Sequence, residues 1–100
     1  MNSFTLTKRA KADLRGIAKF TEKRWGSTQR NMCVKQFDDT FHILADSPSV
    51  GQDGNYIKQN YKKFLQGSHI IFYQAISNQN IQIIRILHKH MDVNTILVGS

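Results

Sequence analysis

The sequence predicts an α+β domain in which a helical hairpin packs on a small antiparallel β-sheet. Three observations predict it. The hydrophobic spacing changes from alternation to helical recurrence at Lys8 and stays helical to Ser47. Only "WGST" separates the two helical stretches, so they fold back on one another. After Asn60 the pattern returns to short β-branched runs.

The chain opens with "SFTLT", Ser3 to Thr7, where Phe4 and Leu6 alternate with small hydroxyl residues as in a short edge strand. Thr7 stands where a helix N-cap belongs. From Lys8 to Arg24, Ala10, Leu14, Ile17, Ala18, Thr21 and Trp25 make one face, and Gly26 ends the helix. Ser27 or Thr28 suits the cap of a second helix striped by Val34, Phe37, Phe41, Leu44 and Ala45. Pro48 stops it, because a residue preceding proline avoids helical geometry. The hairpin is expected to bury Trp25 and the phenylalanines.

Pro48 to Asn60, "PSVGQDGNYIKQN", reads as a loop. "YKKFL" and "HIIFYQAI" read as strands joined by "QGS"; the second is apolar on both faces and belongs mid-sheet. After the turn "SNQN", "IQIIRILH" is the last strong strand. The tail, Lys89 to Ser100, fits a helix or a strand.

All 100 residues are expected in one domain, 40% of them apolar. No apolar run approaches the roughly 18 residues that span a bilayer. The first residues turn charged before a signal-like segment forms, which predicts a cytoplasmic protein. The lone Cys33 excludes an internal disulfide and a cysteine zinc cluster, and reads as helix filler. With 14 Lys+Arg against 7 Asp+Glu, net charge is +7. The surplus is concentrated early. Lys11, Arg15, Lys19 and Lys23 recur every fourth residue, either as a solvated face or as a docking face for anionic partners.

The candidate chemistry lies near "IIRILHKHMD". His88 and His90 point to one side of a strand, but no further ligand pattern accompanies them, so no metal or cofactor is expected. His88, His90, Arg85 and Lys62 are the set from which general acid–base cleavage of RNA would be built. Tyr56 and Tyr61 offer stacking, without a surrounding RNA-binding motif. Arg85 lies among Ile83, Ile84, Ile86 and Leu87, where a charge must reach solvent or a partner.

Residues "LTKRAKADLRGIAKFTEKRWGSTQ", "FDDTFHILADSPSVG", "HIIFYQA" and "IIRILHKHMD", in that order and spacing, resemble the ParE toxins of bacterial toxin–antitoxin modules, within the RelE/ParE superfamily. Gln52, Lys62 and His90 stand where such chains usually carry arginine. The resemblance implies a toxin that poisons DNA gyrase without being an enzyme and is neutralised by a cognate antitoxin in a hetero-oligomer. Such antitoxins wrap the toxin with a helix and a strand. It points to Arg85, His88, Lys89, His90 and Met91 for gyrase, and the charges suggest Lys11, Arg15, Lys19, Lys23 and Arg85 for the antitoxin. The superfamily's other branch, ribosome-dependent mRNA endonucleases, is the alternative. It often places an Arg and a Tyr, or a His, near the C-terminus; "KHMDVNTIL" holds neither Arg nor Tyr.

Overall fold

The computed structural model describes residues 3–53, 61–77 and 80–89. The elements run β1 (Ser3–Leu6), α1 (Lys8–Trp25), α2 (Ser27–Asp46), a 3₁₀ turn (Pro48–Val50), β2 (Gln52–Asp53), β3 (Lys62–Gln66), β4 (His69–Ala75) and β5 (Asn80–His88). The strands form one sheet in the order β1-β5-β4-β3-β2. The α+β hairpin-on-sheet class stands, with β1 at an edge and β4 in the middle. The sheet is mixed rather than wholly antiparallel, because β1 runs parallel to β5. The two helices carry the chain from β1 at one edge to β2 at the other, and three successive antiparallel pairings then bring β5 back beside β1 in the same direction. Residues 52–53, expected within a loop, pair with Lys62 and Lys63 as an edge strand. Of the expected tail only Lys89 is among the described residues.

Thr7 ties the first strand to the first helix. Its hydroxyl accepts from the Ala10 amide at 3.0 Å, as an N-cap should, and donates to the Ile84 carbonyl at 2.8 Å. Its own amide donates to Ile83 at 3.0 Å. The second helix lacks the expected hydroxyl cap. Gly26, at φ 97°, is the whole connection and caps without a side chain. Trp25 corrects another expectation, being 65% exposed. Ser27, Thr28 and Gln29, just across that turn, are small or polar and themselves exposed, so Trp25 gains no apolar cover. Arg24 lies 5.5 Å over its ring instead.

The core lies between the hairpin and one sheet face. Ala10, Phe37, Phe41, Leu44 and Ala45 meet Ile71, Tyr73, Ile81, Ile83 and Ile86. Fully burying a side chain of this size contributes about 1.5–3 kcal/mol. The one buried polar residue described there, Thr40, donates to the Gln36 carbonyl at 2.9 Å and meets Gln66 of β3. Phe72 and Leu87 are buried on the opposite face with Ile70 and Ile84 beside them, so β4 is apolar on both sides, as its sequence requires.

A β-bulge breaks the alternation. Phe72 pairs with Arg85 but Tyr73 pairs with Ile83, leaving Ile84 as the extra residue on β5. In a regular strand Arg85 would follow Ile81 and Ile83 beneath the helices. The extra residue moves Ile86 and His88 to the helix side and frees Arg85 from it.

Tyr73 also fixes the chain after α2. Its hydroxyl donates to the Pro48 carbonyl at 2.6 Å, and a Cβ built at Gly51 would overlap that hydroxyl. Gly51→Ala is expected to cost about 1–3 kcal/mol in urea unfolding through this overlap. Adding Tyr73→Phe, which removes the hydroxyl, should recover part of the loss in a double-mutant cycle. Strictly additive effects would show that the overlap is relieved elsewhere.

Candidate functional site

The site is built where β1 runs out. Its ladder with β5 ends at Leu6 and Ile83, and among the described residues no strand pairs with β5 on its outer side beyond that point. Thr7 takes the Ile84 carbonyl. Asp13, on the inner flank of α1, takes the next group: Oδ2 accepts from the Ile86 amide at 3.0 Å. The same oxygen accepts from Arg85 Nε at 2.7 Å, and Oδ1 accepts from Arg85 Nη2 at 3.1 Å. The pair is bidentate and mostly covered, with side chains 15% and 16% exposed. The hydrogen bonds Arg85 donates to Asp13 hold its guanidinium further above its ordinary range, against the opposing effect of burial.

Next to this clasp, α1 and the ends of β4 and β5 enclose an open groove of about 590 Å³. Gly16, Ile17 and Phe20 line one wall, Cys33 of α2 lies within it, and His69, Leu87 and His88 form the other wall. Phe20, 65% exposed, stands at the lip. Cys33 packs against the core while remaining half-buried, consistent with filler that borders the groove. His69 and His88 face each other across the β4–β5 pair with ring centroids 5.6 Å apart, edge to face. Phe37 of α2 sits 5.8 Å from the His69 ring. Burial, and then His88, push the His69 pKa below its ordinary value of 6.5. No cluster of three His, Cys, Asp or Glu residues able to hold a metal occurs among the described residues.

The outer ridge of α1 carries Lys11, Arg15, Lys19 and Lys23, all exposed. Both acids of the helix are engaged elsewhere, Asp13 with Arg85 and Glu22 with Arg30 of α2. Among the described residues no acid forms an ion pair with any of the four ladder residues.

The sequence-predicted residues are therefore distributed over separate places. Lys11, Arg15, Lys19 and Lys23 share the ridge. Arg85 is clasped by Asp13, which answers where its charge goes. His88 borders the groove, and Lys89 follows it, exposed, with its amide bonded to the Ser68 carbonyl at 2.9 Å. His90, Met91 and Tyr56 lie outside the described residues. Lys62 does not join His88. It pairs with Tyr73, four residues along β3 from Gln66, the residue in line with His88, a separation of about 13 Å. Sequence reasoning missed Asp13 and His69. Asp13 was findable as a lone acid on the inward flank of a basic helix. His69 was findable by counting outward from the "SNQN" turn, but only with the bulge included.

The model of the family described as ParE toxin of the type II toxin–antitoxin system parDE matches residues 4–93. Toxin ParE1 of Caulobacter vibrioides is 34% identical over 92 residues, covering 92% of this chain and 94% of that protein. Toxin ParE1 of Mycobacterium tuberculosis is 31% identical over 91 residues, covering 91% and 93%. A solved structure described as a chromosomal ParDE toxin–antitoxin system from P. aeruginosa superimposes with a TM-score of 0.71 at 19% identity, over 88% of this chain and 96% of that one.

Two outcomes follow from the geometry. Asp13→Ala, which strands both Arg85 and the Ile86 amide, is expected to cost about 2–4 kcal/mol in urea unfolding and to speed exchange at the Ile86 amide. A variant as stable as the parent with unchanged exchange would mean that β5 needs no such cap. For His69 the depressed folded pKa means that the unfolded chain takes up the proton first as pH falls. Stability present above about pH 6.5 is then lost on acidification through the lower folded value. Urea midpoints at pH 7.5 and 5.5 should differ by more in the parent than in His69→Gln. Equal differences would place the sensitivity in other groups.

Proposed function

The chain belongs to the ParE toxins of type II toxin–antitoxin systems, and from that membership we propose that it poisons DNA gyrase and is held inactive by a cognate antitoxin. The observation that carries this reading is the family match from residue 4 to residue 93, through every described element. The geometry supports a binding protein. Arg85 is locked in a bidentate pair and Lys62 lies far along its strand, so the residues that general acid–base cleavage would require stand apart.

The antitoxin reading rests on two adjacent features. The groove beside α1 has an apolar lining suited to an amphipathic helix or an extended segment, and Ala12 and Gly16 in its wall adjoin Lys11 and Arg15 of the ridge in sequence. Acidic residues of the antitoxin would be steered by Lys11, Arg15, Lys19 and Lys23, raising the rate of capture. Arg85 acts through Asp13, which lines the groove and matches its charge. Gyrase binding is assigned to Arg85, His88, Lys89, His90 and Met91, of which Arg85, His88 and Lys89 are among the described residues. A target of this kind places the protein in the cytoplasm. No helix among the described residues is long and apolar enough to cross a membrane.

A second reading, an mRNA endonuclease of the same superfamily, draws its support from the facing rings of His69 and His88. One experiment separates the two. Purified protein is incubated with gyrase and supercoiled plasmid, and in parallel with a translation reaction. Cleaved plasmid that accumulates with intact mRNA is the expected result. It should be lost on deleting Val93 to Ser100. Cut mRNA beside intact plasmid, abolished by His88→Ala, would transfer the protein to the nuclease branch.

A further inference from the structure

We propose that the outer ridge of α1 is a docking surface for the sugar–phosphate backbone of duplex DNA, open to it whenever no antitoxin covers the helix. The inference goes beyond the gyrase reading and does not depend on it.

The ridge is cationic along its whole length. Lys8, Lys11, Arg15, Lys19 and Lys23 are exposed on the side turned away from the sheet. From Lys11 to Lys23 the ladder runs about 18 Å, at the helical rise of about 1.5 Å per residue. Duplex DNA presents a negative charge about every 1.7 Å of its axis, so a row of this length, inclined to the helix axis by its four-residue spacing, meets several phosphates at once. Both acids of the helix are ion-paired away from the row, Asp13 with Arg85 at 2.7 Å and Glu22, exposed beside Arg15 and Lys19, with Arg30. Beside the row, Ala12 and Gly16 are small, and nothing lies within 4 Å of a Cβ built at Gly16. The cations are therefore its highest points, and a backbone can approach without obstruction.

The arrangement is also unfavourable for the isolated fold. No acid occupies the first turn of α1, and Lys8, Arg9 and Lys11 sit at its positive end. Like charges four residues apart repel by about 0.2–0.5 kcal/mol per pair. A local rule broken along an entire face marks a surface kept for a partner.

Two features favour duplex DNA over other polyanions. A protein partner takes most of its binding energy from desolvated apolar anchors. Those lie off the ridge, at Ile17 and Phe20 in the groove. A single strand needs aromatic platforms along its track. None stands on the ridge among the described residues, and Trp25, past its end, carries Arg24 over its ring.

The test is fluorescence anisotropy of a labelled 20-base-pair duplex titrated with the full chain, free of antitoxin, between 50 and 200 mM salt. The expected plot of log K against log salt has a slope of about −3 to −4, near 0.9 per phosphate neutralised. Replacing Lys11, Arg15, Lys19 and Lys23 with Gln should weaken binding at least about 30-fold at 50 mM salt and flatten the slope by about 3. Lys19→Gln alone should flatten it by about 1, and serves if the fourfold variant fails to fold. Lys35→Gln, on α2 and already paired with Asp39, should change affinity less than about twofold. Undiminished binding by the fourfold variant overturns the proposal. So does tighter binding to a single strand of equal length, or binding to polyglutamate with none to the duplex. The antitoxin association rate on the same variants keeps the readings separate. Slowed capture without DNA binding removes only this proposal, and lost DNA binding with unchanged capture removes only the ridge's part in antitoxin recognition.

Discussion

The carboxylate of Asp13 does the work of a missing strand. β1 is only four residues long, and among the described residues it leaves the outer edge of β5 without a strand partner from Ile84 onward. An open edge of bare amides is both unsatisfied and adhesive. Thr7 and Asp13 close it with side chains, through the Ile84 carbonyl and the Ile86 amide. Because Asp13 also holds Arg85 by two bonds, one residue fixes α1 against β5, the strand on which the groove is built. An isolated exposed ion pair would contribute little. This one is mostly covered and shares an oxygen with a backbone amide, so each bond is made in a setting where losing it leaves a stranded group.

The clasp depends on the bulge at Ile84. Without the extra residue, Arg85 would point into the core beneath the hairpin, a position that costs several kcal/mol for an unpaired charge. With it, Arg85 swings to the edge and Ile86 takes the core position. The same displacement brings His88 round to face His69 on the helix side. The groove wall, the satisfied cation and the paired rings are thus three consequences of one inserted residue. β-bulges concentrate where a strand must re-aim its side chains, and this one lies beside the site.

The fold was legible where periodicity is strong. The helices, the proline stop after α2, the Thr7 cap and the central place of β4 all follow from spacing that only one packing satisfies. What escaped was set by non-local geometry. The parallel pairing of β1 depends on where the hairpin returns the chain, not on the four residues themselves. Trp25 looked like core because its helical phase matches Leu14 and Thr21, yet by that position the helix has run beyond the residues it could pack on. Gly26 takes the capping role by its positive φ, which no hydroxyl pattern signals. For the site, the charge ladder could be read directly because exposed charges need no partner to be located. The clasp could not, since Asp13 and Arg85 lie 72 residues apart.

Placing the acids of α1 on its flanks has an electrostatic consequence for the whole surface. Were Asp13 free, it would lie within a Debye length of Arg9 and Lys19 and lower the potential of the ridge. Clasped to Arg85, its charge is matched locally. Glu22 is matched in the same way by Arg30 at the start of α2. The helix therefore uses Asp13 to hold the fold together, keeps Glu22 paired at the surface, and leaves its ladder cations facing water. Internal ion pairs and external field come from one allocation of charge. Tight packing of α1 on β5 and strong attraction for anions are consequently not in competition, because the residues that secure the first are the ones whose removal from the surface creates the second.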